Sequence, residues 1–80
     1  MKHFVEFDTY LKAVFSFPTF IEAIDFINQV ADCAEQANHH PDIYLHDYNQ
    51  VTVILTTHDQ NDQITDKDTQ LAKQIEALKP

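Results

Sequence analysis

The chain has 80 residues, of which 44% are hydrophobic, so it is long enough for one folded domain, residues 1–80, and too apolar to be disordered. Thirteen acidic and five basic residues give a net charge of −8, which disfavours direct binding to nucleic acid or to anionic membranes. There is no apolar run of about 18 residues and no signal peptide, and Cys33, the single cysteine, permits no internal disulfide, so we expect a cytoplasmic domain that does not span a membrane.

Two strands and a long helix are predicted in the first half of the chain. Residues 3–7 and 10–17 are rich in apolar and aromatic side chains, which is typical of short strands joined by a tight turn. Thr19 and Glu22 then form a capping box, in which each side chain can satisfy a free backbone N–H, so a helix is expected from there to about Ala37. Its predicted buried stripe consists of Phe20, Ile24, Ile27, Ala31 and Ala34, widened by Ile21 and Val30.

A second pair of strands and a second helix follow. Residues 43–48 and 51–57 are predicted to form a hairpin that turns at Asn49-Gln50. A second capping box, from Thr65 to Asp68, marks the start of the last helix. The apolar residues that recur at helical spacing in this helix are Leu71, Ala72, Ile75 and Leu78.

The predicted order of elements is β-β-α-β-β-α. The economical arrangement for this order is an α+β fold, in which two helices pack on one face of a four-stranded antiparallel sheet. The chain has no glycine, so backbone positions that need a positive φ must use asparagine or aspartate. We expect these residues to be Asn49, Asn61 and Asp62, and we expect Asn38 to end the first helix as its C-cap.

Histidines gather where the predicted elements end. His39 and His40 follow the first helix, and His58 follows the fourth strand. Histidine can both give and take a proton near neutral pH. Asp68, at the start of the last helix, adds a carboxylate that could orient an imidazole or stabilise a charge. If packing brings these four side chains together, they would form a site for general acid–base catalysis.

Each of these residues also has a purely structural interpretation. The histidine pair could be part of a polar loop, and Glu35 could form an ion pair with His39 at the helix end. Asp68 fits the capping box without any further role, and on local pattern alone this is the better interpretation. His58 could be an exposed strand end, and Pro41 could simply stop the helix.

A metal site is the sharper alternative, because three histidines and a carboxylate can bind zinc. Adjacent histidines in extended backbone point apart, however, and this set contains no His-x-His or His-x-x-x-His pair, so we expect no metal ion. His46 alternates onto the strand face that carries Tyr44 and Tyr48, and it is interpreted as structural or as lining the rim of the site. Cys33 lies in the middle of a helix, where a buried, inert thiol is expected.

The motifs form one ordered pattern along the chain. An acidic residue, three spacers and His-His-Pro are followed by an aromatic residue, a histidine and, after a loop, an aspartate. These residues are Glu35, His39, His40, Pro41, Tyr48, His58 and Asp68. Together with Phe15-Ser16-Phe17 in the second strand and Thr57-His58-Asp59 near the end, the pattern covers about residues 10–76. It resembles the pterin-4a-carbinolamine dehydratase family.

The resemblance implies the same α+β fold and a specific activity. This activity is the dehydration of a 4a-hydroxytetrahydropterin to a quinonoid dihydropterin, without a metal or an organic cofactor. By the same resemblance, His39, His40 and His58 are the active-site histidines. For a reaction that delivers one proton and removes another, we expect His39 and His58 to transfer the protons and His40 mainly to hold the pterin. Asp68 is the active-site aspartate, and Glu35 supports the site. The implied substrate-binding residues are His39, His40, Pro41, Tyr48, Thr57 and Asp59.

The chain also departs from that family. Members usually begin with a helix before the first strand, for which this sequence has no room, and their glycine-containing loop is replaced by Asn61-Asp62-Gln63, one residue longer. These differences motivate an alternative function, a catalytically weak pterin-binding or protein-assembly module of the same fold. Family members form dimers and tetramers, and the small core and edge strands of this chain likewise predict a homo-oligomer.

Overall fold

A computed structural model describes residues 1–78, apart from the side chain of Gln60, so the last two residues of the predicted domain lie outside the described part. The strands are β1, Val5–Glu6; β2, Leu11–Ser16; β3, Asp42–His46; and β4, Gln50–Leu55. The helices are α1, Phe20–Ala37, and α2, Asp66–Leu78, and a short 3-10 turn covers His58–Gln60. The strands form one antiparallel sheet in the order β1-β2-β4-β3, which confirms the predicted α+β fold with its helices on one face.

The two central strands build the floor of the core. β2 and β4 pair along their whole length, from Leu11 opposite Leu55 to Ser16 opposite Gln50. Because side chains alternate between the faces of a strand, every second residue points toward the helices. The buried residues of this face are Leu11, Ala13, Phe15, Val51, Val53 and Leu55.

Helix α1 begins and ends at the residues that the sequence predicts. The Thr19 hydroxyl accepts the backbone N–H of Glu22 at 3.1 Å, as an N-cap does. Asn38 adopts a left-handed backbone with φ of 51° and donates its N–H to carbonyls of the last turn. The reversal at Asn38 directs the following histidine pair back over the end of the helix.

The buried stripe of α1 agrees only in part with the predicted one: Val30 and Ala34 are buried as expected, and Ile27 is partly buried. The residues that this helix buries are Ala23, Phe26, Val30 and Ala34. Phe20 and Ile21 are instead 48% and 65% exposed, and Ala31 is exposed as well. The Phe26 ring packs against Phe15 of β2 with centroids 4.7 Å apart, and the small Ala23 lets the helix approach the sheet closely. An exposed apolar surface therefore remains at the start of α1.

Within residues 1–78, five non-glycine residues take the left-handed backbone conformation that glycine would otherwise supply. They are Asn38, Asp47, Tyr48, Asn61 and Asp62, with φ between 51° and 58°. The prediction for Asn61 and Asp62 is confirmed, whereas the prediction for Asn49 is wrong. His46 pairs with Gln50, so the hairpin already turns at Asp47 and Tyr48. Asn49 instead ties the hairpin to the end of β2, because its side-chain amide donates to the Phe17 carbonyl at 2.8 Å.

Helix α2 completes the core and holds the N-terminal segment. Leu71, Ala72 and Ile75 of its predicted stripe are buried, whereas Leu78 is partly buried against the same core. Glu76 accepts the backbone N–H groups of His3 and Phe4 at 2.5 and 2.9 Å, and it pairs with the His3 imidazole at 2.7 Å. Burial raises the pKa of Glu76, but these hydrogen bonds outweigh it and hold the pKa below its usual value. Within residues 1–78, neither helix is long and apolar enough to cross a membrane.

Candidate active site

A cavity of about 380 Å³ lies near the ends of α1 and β4 and the start of α2. The segment after α1, the segment after β4 and the first turn of α2 form its walls. Its lining residues are Asn38, His39, His40, Thr56, His58, Asp59 and Lys67. The three histidines that the sequence singles out therefore face one space. A cavity of about 420 Å³ between the start of α1 and the end of α2 contains no histidine in its lining.

Asp68 lies beneath this cavity and is fully buried. Its Oδ2 accepts the Thr65 backbone N–H at 3.0 Å and the Thr57 hydroxyl at 2.7 Å, and its Oδ1 lies 2.5 Å from His39 Nε2. Burial raises the pKa of Asp68, but the hydrogen bonds from His39, Thr65 and Thr57 together hold it below its usual value. Asp68 thus caps α2 and also supports the site, so the interpretation as a capping residue alone is incomplete.

The two adjacent histidines bond to different carboxylates. His39 is largely buried, with 11% of its side chain exposed, and bonds to Asp68, whereas His40 is 61% exposed and its Nε2 lies 2.5 Å from Glu35. The proposed ion pair between Glu35 and His39 is therefore wrong, because the reversal at Asn38 brings the later histidine back over Glu35. A carboxylate accepts, so Nε2 of each ring carries the hydrogen and Nδ1 remains for another partner.

His58 approaches the cavity from a turn rather than from a strand. β4 ends at Leu55, and His58 begins the 3-10 turn. Its Nδ1 lies 2.7 Å from Asp62, which leaves Nε2 as the second ring nitrogen. The hydrogen bond to Asp62 raises the pKa of His58 and is the largest effect, burial lowers the pKa in part, and the negative charges of Asp62, Asp42 and Asp68 raise it further. His58 therefore holds its proton to a higher pH than an ordinary histidine does.

The other residues that the family resemblance implies for substrate binding lie at different distances from the cavity. Asp59 lines the cavity, together with the histidines. Thr57 is only 3% exposed and donates its hydroxyl to Asp68, so it supports the site from below. Pro41 precedes β3 and is absent from the cavity lining.

Tyr48, which is also expected to bind substrate, lies away from this cavity. It lies in the turn between β3 and β4, at the end of β4 opposite to His58, and is 65% exposed. A strand advances by about 3.3 Å per residue, so the six residues of β4 carry the chain roughly 20 Å away from the cavity. Tyr48 therefore belongs to the same sequence pattern as the three histidines but lies far from the cavity that they line.

Some residues of the site escaped sequence reasoning. Asn38, Thr56 and Lys67 line the cavity, and Asp62 pairs with His58. The spacing of four residues between His58 and Asp62 is a signal for side-chain pairing in a helix, but the sequence predicts no helix there. Lys67 follows the predicted start of α2, where only Asp68 drew attention.

The remaining candidates lie outside the cavity. His46 bonds to the Thr52 hydroxyl at 2.8 Å and to Asp47 at 2.9 Å on the outer face of the sheet, in keeping with a structural role. Cys33 is half-buried rather than buried. Among the described residues, no group of three or more histidine, cysteine, aspartate and glutamate side chains has a geometry that could hold a metal ion.

The fold and the site define an α+β protein with a cavity lined by three histidines, and sequence comparison places it in a family. The profile described as Pterin 4 alpha carbinolamine dehydratase matches residues 4–78. A relative from Gloeobacter violaceus is 48% identical over 64 residues, which are 80% of this chain and 67% of that protein. One from Picosynechococcus is 49% identical over 71 residues, which are 89% and 75% of the two chains. Both carry pterin-4-alpha-carbinolamine dehydratase as a provisional name, and this chain belongs to that family.

Solved structures agree with this placement. A crystal structure of a transcriptional coactivator/pterin dehydratase from Brucella melitensis superposes with a TM-score of 0.83 and 33% identity, covering 95% of this chain and 79% of that one. A pterin dehydratase-like protein described as a RuBisCO assembly factor of the alpha-carboxysome superposes with a TM-score of 0.73 at 18% identity, over 95% and 86% of the two chains. The second similarity shows the shared fold alone.

Proposed function

We propose that this protein dehydrates a 4a-hydroxytetrahydropterin to the quinonoid dihydropterin in the cytoplasm. The observation that carries the proposal is the arrangement of the three histidines around one cavity, each with one ring nitrogen bonded to a carboxylate. Membership of the dehydratase family supports the assignment. The reaction needs one proton delivered and one removed, and a cavity with several imidazoles offers both functions.

His58 is suited to deliver the proton. Loss of water breaks the bond between C4a and its hydroxyl, and the leaving oxygen needs a proton to depart as water. Asp62 favours the imidazolium form of His58 and occupies Nδ1, so the proton on Nε2 is the one available to a substrate. An acid positioned in this way typically contributes about 10²–10⁴-fold to the rate.

His39 is suited to remove the second proton. The electron pair of the neighbouring ring N–H forms the new C=N bond, so a base must take that hydrogen. Asp68 accepts from Nε2 of His39 and thereby directs the lone pair of the neutral ring to Nδ1. His40 and Asp59, which line the same cavity, would then hold the pterin by hydrogen bonds.

A turnover assay tests this function. A freshly generated 4a-hydroxytetrahydropterin is mixed with the protein, and the quinonoid product is followed by its absorbance. We expect the native chain to accelerate the dehydration and the variants His39→Ala and His58→Ala each to lose at least about 10²-fold. His46→Ala is the matched control, because His46 bonds to Thr52 and Asp47 outside the cavity, and its rate should match the native rate. If His39→Ala and His58→Ala both turn over as fast as the native chain and the His46→Ala control, the assignment is ruled out.

A second function, as an assembly module with weak catalysis, has its own supporting observation. Phe20 and Ile21 leave apolar surface exposed at the start of α1, and β3 has an unpaired edge, so the chain has surfaces that could associate with other protein. One structural relative is described as an assembly factor and another as a coactivator. If calorimetry detects no binding of a reduced pterin while circular dichroism shows an intact fold, the assembly function is favoured over catalysis.

A further inference from the structure

The segment between β4 and α2 contains a loop that is closed by two backbone hydrogen bonds between Thr57 and Gln63. Thr57 donates its N–H to Gln63 at 2.9 Å and accepts the Gln63 N–H at 3.4 Å. Between these residues, Asn61 and Asp62 both take the left-handed conformation, which turns the chain back toward His58. The loop therefore holds the backbone of Asp62 at a defined place beside the cavity.

The Asp62 carboxylate lies against the imidazole of His58. Oδ1 of Asp62 is 2.7 Å from Nδ1 of His58, and both side chains are about two thirds exposed. Asp62 does not line the cavity that contains the site histidines. Asp62 and His58 instead line a neighbouring cavity of about 210 Å³, whose lining contains neither His39 nor His40. Asp62 therefore contacts the site through the His58 ring, whose Nε2 is not bonded to Asp62.

Several charged groups surround His58. The carboxylates of Asp42 on β3 and Asp68 on α2 act on it together with Asp62. His39, His40, Asp59 and Lys67 line the same cavity. Asp62 is the one that bonds to the ring directly among the described residues, and its effect on the pKa of His58 is the largest. Removal of this single carboxylate should therefore change the proton affinity of His58 more than removal of any other.

We propose that Asp62 is a positioning residue for the dehydration, because it presents His58 to the substrate as a hydrogen-bonded imidazolium with Nε2 directed into the cavity. The inference deepens the proposed function and rests on it. It also assigns a role to the loop that Thr57 and Gln63 close, in which Asn61 and Asp62 take the left-handed conformation. Asp62 acts through His58 and is not itself a catalytic residue.

The variant Asp62→Asn tests this role. Asparagine tolerates the left-handed backbone, so the loop keeps its shape while the charge is lost. In an NMR titration of the imidazoles, His58 should titrate at lower pH in the variant than in the native chain, with its signal assigned from His58→Ala. The pH at which kcat declines on the alkaline side should move down in parallel. Turnover at pH 8 should fall about two- to fivefold, which corresponds to the strength of exposed ion pairs, and KM should stay unchanged.

Asp32→Asn is the matched control for the loss of one negative charge, because Asp32 is exposed on α1 and outside the cavity. It should leave both the His58 titration and the pH profile as in the native chain. An unchanged His58 titration in Asp62→Asn would overturn the proposal, as would an unshifted pH profile in an active enzyme. If the native chain shows no turnover, the proposed function fails. The titration of His58 in Asp62→Asn then still decides whether Asp62 stabilises the protonated form of His58.

Discussion

The Nε2 of His39 lies 2.5 Å from Oδ1 of Asp68, so a residue at the end of one helix is bonded to the capping carboxylate of the other. His39 follows α1, and Asp68 lies in the first turn of α2, 29 positions later. A hydrogen bond to an ionised, buried carboxylate is stronger than one between neutral groups. The geometry of the candidate base is therefore tied to the packing of the two helices.

Replacement of Asp68 by asparagine should impair both the stability and the activity of the protein. The amide has one acceptor oxygen where the carboxylate has two, so at least one of the donors from His39, Thr57 and Thr65 loses its acceptor. A buried donor left without a partner costs about 1–3 kcal/mol. We expect the free energy of unfolding in urea, followed by circular dichroism, to fall by that amount, and kcat to fall as well.

Thr57→Val provides a second measurement of the same network. It removes one donor to Asp68 and leaves the donor from His39 in place. The Thr65 hydroxyl, 2.6 Å from the Thr57 hydroxyl, also loses that partner. We still expect a smaller loss of stability than in Asp68→Asn, about 1 kcal/mol, because the carboxylate keeps its other two donors. A stability loss in Asp68→Asn no larger than that in Thr57→Val would contradict the central position of the carboxylate.

The fold should lose stability at low pH through Asp68 and Glu76. The pKa of each carboxyl is lower in the folded chain than its ordinary value of about 4. Their contribution is therefore complete above that value and disappears as the pH falls through the lower folded pKa. Urea unfolding between pH 6 and pH 2 should show stability decreasing below about pH 4, with a smaller decrease in Glu76→Gln. The exposed Asp32→Asn should follow the native curve, and an unchanged slope in Glu76→Gln would refute the role of Glu76.

Tyr48→Asn should leave the catalytic parameters unchanged and should not destabilise the fold. Tyr48 has φ of 55° in an exposed turn, a conformation that costs a residue with a Cβ about 1–2 kcal/mol and that asparagine tolerates better. We expect a gain of up to about 1 kcal/mol in the free energy of unfolding. Pterin affinity and KM should match the native values, and a large rise in KM would show that Tyr48 contacts the substrate after all.

The chain should associate with copies of itself. It is small, the edge of β3 is unpaired, and apolar side chains remain exposed at the start of α1. Sedimentation equilibrium should give a mass above the 9.3 kDa of one chain. Added salt should strengthen association, because it screens the repulsion between chains that each carry a charge of −8. A mass of one chain at every salt concentration would contradict the expectation.

Local sequence patterns were sufficient for the architecture. Thr19 and Asn38 mark the ends of α1 by chemistry that operates within a few residues, and the alternation in β4 shows which face is buried. The buried face of α1 was not predictable in the same way. Two overlapping apolar stripes exist on that helix, and the contact of Phe26 with Phe15 across the core selects between them. Such a contact depends on tertiary packing rather than on spacing.

In the candidate site, too, some residues could be predicted from local patterns and others depend on tertiary structure. Ordered motifs were enough to single out His39, His40 and His58, which the structure brings to one cavity. Asp62 was missed because its contact with His58 depends on the loop that Thr57 and Gln63 close. No periodic pattern describes such a loop.

The double use of Asp68 has a consequence for how activity can be inferred among related proteins. A descendant that abandons catalysis still needs an acceptor for the Thr65 N–H and the Thr57 hydroxyl, so selection for folding alone would retain this aspartate. His58 is 66% exposed and supports no other element of the fold, so it can be lost without harm once turnover no longer matters. The persistence of His58, more than that of Asp68, should therefore distinguish working enzymes from scaffolds that have kept only their shape.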